Sequence, residues 1–123
     1  RYTESNHADF LFDMQGREVL KLSLQKIPAL FDEFWARHGL RPEDIALVIP
    51  HQASPALPVM MKTLGFKKGQ YVDAVAEYGN MVSASVPFML CKVLEEGRLK
   101  AGDKVLLSGT AAGLTCNIVC LQL

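Results

Sequence analysis

The sequence has no excess of charge of either sign, because 13 lysines and arginines balance 13 aspartates and glutamates to give a formal net charge of zero. A domain that binds nucleic acid normally carries a basic excess or stripe, so this balance argues against nucleic acid as a partner. No apolar run approaches the roughly 20 residues that a membrane-spanning helix needs. No basic and then apolar leader is present, and we expect neither a targeting segment nor a membrane span.

Patterns that bind metals or build disulfide scaffolds are also missing. The three cysteines and three histidines are scattered, with no CxxC pair and no spacing typical of zinc ligands. An odd number of such cysteines fits a reducing compartment, so we expect a cytoplasmic protein that holds no metal and no cofactor. The GxGxxG, P-loop and GxSxG patterns are absent as well.

Apolar side chains, in contrast, are abundant, at 50% before the 9 glycines are counted. Adding glycine puts the chain above the ~45–50% that is usual in globular domains. The sequence begins at Arg1 and not at an initiator methionine. Its length matches one domain, yet its apolar share and abrupt start lead us to expect a piece of a larger protein.

Hydrophobic periodicity predicts helices that alternate with short buried strands. The three predicted helices, each followed by a glycine, cover residues 17–38, 55–64 and 83–96. Ser83 is the predicted cap of the third helix, and Pro28 predicts a kink or a break in the first. The predicted strands cover residues 10–12, 46–49, 71–72, 104–108 and 115–123.

This order indicates an α/β fold: a mixed, mostly parallel five-stranded sheet with helices on both faces and an antiparallel C-terminal hairpin. We expect one domain over residues 10–123, preceded by a polar connecting arm over residues 1–9. Ligands bind beyond the carboxyl ends of the strands in such sheets, and this rule selects the segments where a site is expected.

Three segments meet that condition. His51 directly follows a predicted strand and would face the crevice, although a locally bonded loop histidine is an equally good interpretation. Asn80 offers an amide donor after Gly79, which permits backbone conformations that a side chain disfavours; a plain turn and helix cap is the simpler alternative. Residues 109–113 are small, so they either let backbone N–H groups approach a ligand or form a tight connection between strands.

The cysteines are predicted to pack in the core. Cys91 falls on the third predicted helix among apolar residues, and Cys116 and Cys120 fall on one face of the last strand. Buried cysteines usually act as small hydrophobes, so core packing is favoured over a nucleophilic role for all three.

Four segments stand in a recognisable order and spacing. They are Pro50-His51-Gln52-Ala53, Tyr78-Gly79-Asn80 with Ser83-Ala84-Ser85-Val86-Pro87, residues 97–103, and the small-residue loop with Gly113-Leu114-Thr115. Together they resemble the C-terminal half of β-ketoacyl-ACP synthase III, a condensing enzyme of the thiolase-like superfamily. The resemblance extends over nearly the whole chain and is weakest before Phe10.

The resemblance implies a decarboxylative Claisen condensation of acyl-CoA with malonyl-ACP in fatty acid biosynthesis. His51 and Asn80 match the family's catalytic histidine and asparagine, two neutral donors that would stabilise an enolate oxygen. Ala112 and Gly113 match the segment whose backbone N–H helps to form the oxyanion hole at the acyl-enzyme carbonyl. Residues 52–54, namely Gln52, Ala53 and Ser54, match the segment that meets the carrier protein or CoA.

The family's nucleophilic cysteine belongs to an N-terminal half, and none of the three cysteines of this chain matches its position. The resemblance therefore implies that the chain works with its own N-terminal half in a homodimer and is inactive alone. Apolar surface built for that half should make the isolated chain self-associate.

Departures from the family pattern leave the second substrate open. Ser54 stands where the family commonly has asparagine, and residues 55–57 supply no arginine for docking an acidic carrier protein. Ser54 and residues 113–116 also resemble relatives that condense two acyl-CoA molecules in olefin or secondary-metabolite pathways. A non-catalytic scaffold or dimerisation domain is the third alternative.

Overall fold

The structure is a computed structural model that describes Thr3, Asn6, residues 15–111 and residues 113–123. Most of the predicted arm and the whole of the predicted strand over residues 10–12 thus lie outside the described residues. The helices and strands in chain order are α1 (Gly16–His38), β1 (Leu47–Pro50), α2 (Leu57–Thr63), α3 (Val75–Tyr78), α4 (Ser85–Glu95), β2 (Lys104–Ala111) and β3 (Thr115–Gln122). Short 3-10 turns at Pro42–Asp44 and Val82–Ala84 precede β1 and α4.

Helix α1 runs through Pro28 without the break that the sequence predicted. A proline inside a helix costs about 3 kcal/mol because it removes a hydrogen bond and crowds the preceding turn. Here the neighbouring turns bury Ile27 and Phe31, and each such side chain contributes about 1.5–3 kcal/mol. Burial of these side chains therefore offsets the free-energy cost of the proline. The helix ends as predicted at Gly39, whose φ is +63°.

The sheet has the order β1-β2-β3, with β1 parallel to β2 and β2 antiparallel to β3. The antiparallel C-terminal hairpin is thereby confirmed. Among the described residues the sheet has three strands and not the five that we expected. One reason is that the predicted strand at residues 71–72 is reduced to a single parallel bridge between Tyr71 and Val48.

Helices cover both faces of this sheet, as predicted. Val48 and Leu106 pack on one face in a cluster with residues of α1 and α2. On the other face, Ile49 and Val105 pack against Met89 of α4. Strand β1 is consequently buried at every position, which explains its continuous apolar sequence.

Two predicted boundaries are wrong. Ser83 makes no capping bond, because α4 begins at Ser85 and follows a 3-10 turn. The small residues from Gly109 to Ala111 are part of β2 and pair with residues of β3, so they form no loop. Strand propensity alone does not predict a strand for such a segment. Here the pairing partners lie eight or fewer residues away along the chain and supply the hydrogen bonds.

Candidate active site

The carboxyl end of β1 holds the first predicted site residue, His51. The backbone N–H of His51 donates a hydrogen bond of 2.8 Å to the carbonyl of Ser108 on β2. This bond extends the parallel pairing one residue beyond β1, whose last pair is Pro50 with Ser108. The backbone of His51 is therefore fixed by the sheet, and its half-buried side chain lies where ligands bind to such sheets.

Partial burial favours the neutral form of the His51 imidazole. Partial burial lowers the pKa of His51 below its ordinary value of 6.5, because a charged ring loses hydration there. Within the described part of the chain, neither ring nitrogen takes part in a hydrogen bond. A neutral imidazole has one N–H donor and one acceptor nitrogen, so the ring is available to donate to an oxygen of a ligand.

Asn80 is positioned by the glycine before it. Gly79 ends α3 with φ +66° and ψ −161°, a conformation that is essentially restricted to glycine. The sequence interpretation of Gly79 is thus confirmed, and the turn brings Asn80 to an exposed position ahead of α4.

The side chain of Asn80 is oriented by a local hydrogen bond. Its Oδ1 accepts the backbone N–H of Val82 at 2.9 Å, which leaves the amide nitrogen without a partner among the described residues. Val82 has φ +53°, an uncommon conformation for a β-branched residue, and its side chain is 73% exposed. Because the oxygen is occupied, the group that Asn80 presents to a ligand is an N–H donor.

The topology brings the loops of His51 and Asn80 to one edge of the sheet. Helix α4 leads into β2, which is parallel to β1, so α4 runs back along the sheet from its carboxyl edge. The start of α4, and with it the turn that carries Asn80, belongs to the edge where His51 follows β1. This edge combines a neutral imidazole with a carboxamide N–H donor.

The third predicted element is only partly described. Ala112 lies outside the described residues, and Gly113 occupies an exposed turn with φ +73°. Nothing lies within 4 Å of the position that a Cβ of Gly113 would take, so the space beside it is open. Gly109 differs, because a Cβ there would stand 2.5 Å from Oδ1 of Asn117, and its N–H donates to that same oxygen. A Cβ at Gly109 would therefore require the side chain of Asn117 to move.

Gln52 faces the interior and not a partner. Its side chain is fully buried, and both its amide oxygen and its amide nitrogen form hydrogen bonds within the chain. Of the predicted carrier-protein or CoA segment, Ala53 is exposed and Ser54 is half-buried, with its hydroxyl oxygen accepting the N–H of Ala56. Contact with a carrier stays a prediction for Ala53 and Ser54. The side chain of Gln52 does not make such a contact, because it is enclosed by protein.

None of the cysteines is activated as a nucleophile. Cys116 and Cys120 pack against the cluster on the α1 face, as predicted, and burial raises the pKa of both thiols. Cys91 is exposed, so the prediction of core packing is wrong for this residue. The hydrogen bond from Cys91 to Glu95 is the main cause of its raised pKa. A raised pKa keeps each sulfur protonated, whereas the reactive species is the thiolate.

Other candidate sites are weaker. Among the described residues, no three His, Cys, Asp or Glu side chains are grouped to hold a metal ion, and no helix is long and apolar enough to cross a membrane. A groove of about 350 Å³ lies between the 68–77 segment and α4. Its rim mixes cations with anions, among them Lys92 and Glu77, and neither His51 nor Asn80 lines it.

Solved structures define the class to which this fold belongs. The structure of 3-oxoacyl-[acyl-carrier-protein] synthase III from Aquifex aeolicus VF5 matches with a TM-score of 0.84 and 32% identity, over 90% of this chain and 36% of that chain. A structure of Xanthomonas campestris OleA matches with a TM-score of 0.84 and 28% identity, over 89% of this chain and 32% of that chain. The fold is that of the thiolase-like condensing enzymes.

Sequence comparison then identifies the family. The family described as 3-oxoacyl-[acyl-carrier-protein (ACP)] synthase III C terminal matches residues 35–123. The β-ketoacyl-[acyl-carrier-protein] synthase III of Helicobacter pylori is 41% identical over 103 residues, which is 83% of this chain and 31% of that protein. The corresponding synthase of Clostridium perfringens is 33% identical over 112 residues, or 90% of this chain and 35% of that protein.

The chain therefore belongs to the family of synthase III C-terminal domains, and the resemblance seen in the sequence is confirmed. It spans about a third of the length of the curated relatives that it matches.

Proposed function

We propose that this chain supplies the enolate-stabilising half of a synthase III-like condensing enzyme. The observation that supports it best is the pair of side chains at the carboxyl edge, the neutral imidazole of His51 and the outward N–H of Asn80. The proposed reaction is the decarboxylative Claisen condensation of an acyl group from acyl-CoA with malonyl-ACP.

The chemistry requires donors of this kind. When the malonyl thioester loses carbon dioxide, the electron pair of the broken bond moves onto the thioester and places negative charge on its oxygen. Two preorganised N–H donors stabilise that oxygen, and a single donor of this type contributes about 3–4 kcal/mol in a site shielded from water. The resulting carbanion then attacks the acyl-enzyme carbonyl, whose oxyanion would accept the backbone N–H near Ala112 and Gly113. Collapse of this oxyanion breaks the carbon–sulfur bond and releases the cysteine as its thiolate.

The nucleophile is proposed to come from an N-terminal half. Each of the three cysteines has a raised pKa, so none is prepared to take an acyl group. We expect the chain to act in the cytoplasm within a longer, homodimeric protein, and to show no condensing activity by itself.

A second candidate differs in the second substrate. Residues 54–57 lack an arginine that would meet an acidic carrier protein, which favours an acyl-CoA molecule over malonyl-ACP. A purely structural role as a scaffold or dimerisation domain is less favoured, because a decayed site need not keep His51 and Asn80 with free N–H donors.

The test uses the full-length protein, by which we mean this chain together with the N-terminal half that the proposal requires. His51→Ala and Asn80→Ala should each nearly abolish carbon dioxide release from a malonyl thioester and spare acyl transfer to the nucleophilic cysteine. Normal condensation by both variants would refute the assignment. Parallel assays with malonyl-ACP and with acyl-CoA as the second substrate decide between the two candidates.

A further inference from the structure

Gln52 is a fully buried amide side chain whose hydrogen-bonding groups are satisfied by backbone atoms. Its Nε2 donates to the carbonyl of Pro50 at 2.9 Å and to the carbonyl of Val72 at 3.2 Å. Its Oε1 accepts the N–H of Ala74 at 2.8 Å. An amide buried without partners would be strongly unfavourable, so these three bonds hold the side chain in one orientation.

The three bonds join two segments that are distant in sequence. Pro50 is the last residue of β1 and His51 follows it, whereas Val72 and Ala74 lie 20 and 22 residues beyond Gln52. Ala74 directly precedes α3, a helix of four residues that ends at Gly79 and delivers the chain to Asn80. The Gln52 amide therefore connects the loop of one proposed donor to the segment that carries the other.

We propose that Gln52 is a positioning residue, which fixes the separation between the His51 loop and the segment that leads to Asn80. This inference rests on the proposed function. Both donors must meet the same enolate oxygen, and a displacement of about 1 Å in such a site lowers a rate by up to about 100-fold. Gln52 itself does not touch the substrate, because its side chain is enclosed by protein.

The chain contains a matched control in Gln70. Its Nε2 also donates to two backbone carbonyls, those of Pro42 at 2.6 Å and Ile45 at 2.9 Å, and its Oε1 accepts the N–H of Lys67. Pro42 and Ile45 precede β1, so two of the three bonds of Gln70 hold the segment that leads into that strand. Loss of its bonds removes the same kind of interaction without linking the proposed donors.

The experiment compares Gln52→Met with Gln70→Met in the full-length protein, since methionine keeps nearly the same volume and removes the hydrogen bonds. Thermal unfolding, acyl transfer to the cysteine, and kcat and KM for malonyl thioester decarboxylation are measured for each. We expect Gln52→Met to lower the decarboxylation kcat by about 10- to 100-fold, with a smaller change in KM and an unchanged acyl-transfer rate. Gln70→Met should leave both rates near the wild-type values while lowering the melting temperature.

A second variant and a double mutant keep the test decisive. Gln52→Asn keeps a neutral amide in a shorter side chain that cannot form all three bonds, so it replaces Gln52→Met if that variant folds poorly. In a His51→Ala background, Gln52→Met should cause a smaller loss than in the wild-type protein, because one of the two donors that it positions is already absent.

The results distinguish this inference from the proposed function. Equal losses in the Gln52 and Gln70 variants, or parallel losses of acyl transfer and decarboxylation in the Gln52 variant, would overturn the positioning role. If instead His51→Ala and Asn80→Ala both retain decarboxylation, the proposed function fails.

Discussion

Replacing Asn80 by aspartate should separate the turn that this residue stabilises from the donor that it presents. In the structure, Oδ1 accepts the N–H of Val82 at 2.9 Å, and the amide nitrogen is directed to no described partner. Aspartate keeps an oxygen for that N–H, and the charge-assisted bond is at least as strong. It replaces the amide NH₂ by a second oxygen, which accepts hydrogen bonds and cannot donate them.

The expected magnitudes differ for rate and for stability. Loss of one preorganised donor raises the barrier by about 3–4 kcal/mol, or roughly 10²- to 10³-fold in the decarboxylation rate. Asn80→Asp should show at least this loss, since its carboxylate also repels the enolate, with little change in unfolding. Asn80→Ala should show a similar rate loss and also lower the free energy of unfolding by about 0.5–1.5 kcal/mol, because the bond to Val82 is gone.

The assay follows carbon dioxide release, acyl transfer and thermal unfolding separately in the full-length protein. Ser83→Ala is the control, as an exposed neighbour in the same turn that has no assigned role. If Asn80→Asp decarboxylates at the wild-type rate, the amide is not the donor. If the aspartate and alanine variants are destabilised equally, the hydrogen bond to Val82 does not hold the turn.

Three further predictions concern the same domain. His51→Gln should flatten the pH dependence of thermal stability below pH 6.5. Burial disfavours the protonated His51 ring, so the unfolded state binds more protons and the stability of the wild-type fold falls as the pH falls in that window. His38→Gln is the control, and an unchanged profile for the His51 variant would contradict the burial effect. Gly109→Ala should force Asn117 to rotate and lower the free energy of unfolding by about 0.5–1.5 kcal/mol. This loss should disappear in an Asn117→Ala background, and an equal loss in both backgrounds would show that the two residues do not interact. The isolated chain should self-associate through apolar side chains such as Val119, which is 48% exposed, and a clean monomer in sedimentation at high concentration would argue against this.

Much of the fold was predictable because local patterns and packing agree. The apolar run at residues 46–49 predicted a doubly buried strand, and β1 is covered by helices on both faces. The helix predicted over residues 17–38 differs from α1 by one residue. The extension of β2 through Gly109 was missed, since glycine disfavours strands locally and its pairing with Asn117 depends on the strand that follows.

The site was predictable only in part. His51 was a candidate because it follows a predicted buried strand, and Asn80 because it follows Gly79, but their roles come from the resemblance to the synthase III family and stay predictions. The burial and hydrogen bonds of Gln52 were missed, since its bond to Ala74 joins residues 22 apart and no local spacing encodes such a contact. Once the fold brings these two segments together, the buried amide forms hydrogen bonds with backbone groups of both.

The placement of the donors also gives a physical reason for dividing the proposed chemistry between two halves. Acyl transfer requires a thiolate, and a positive local potential favours it; decarboxylation requires neutral donors directed at an oxygen that becomes charged only during the reaction. In this chain burial lowers the pKa of His51, which favours the neutral ring, and burial raises the pKa of Cys116 and Cys120, which favours their protonated thiols. These shifts are consistent with the proposal that the described domain serves the second step and another half of the protein serves the first. An engineered cysteine on its surface should not restore condensation unless a new element also lowers the pKa of that thiol.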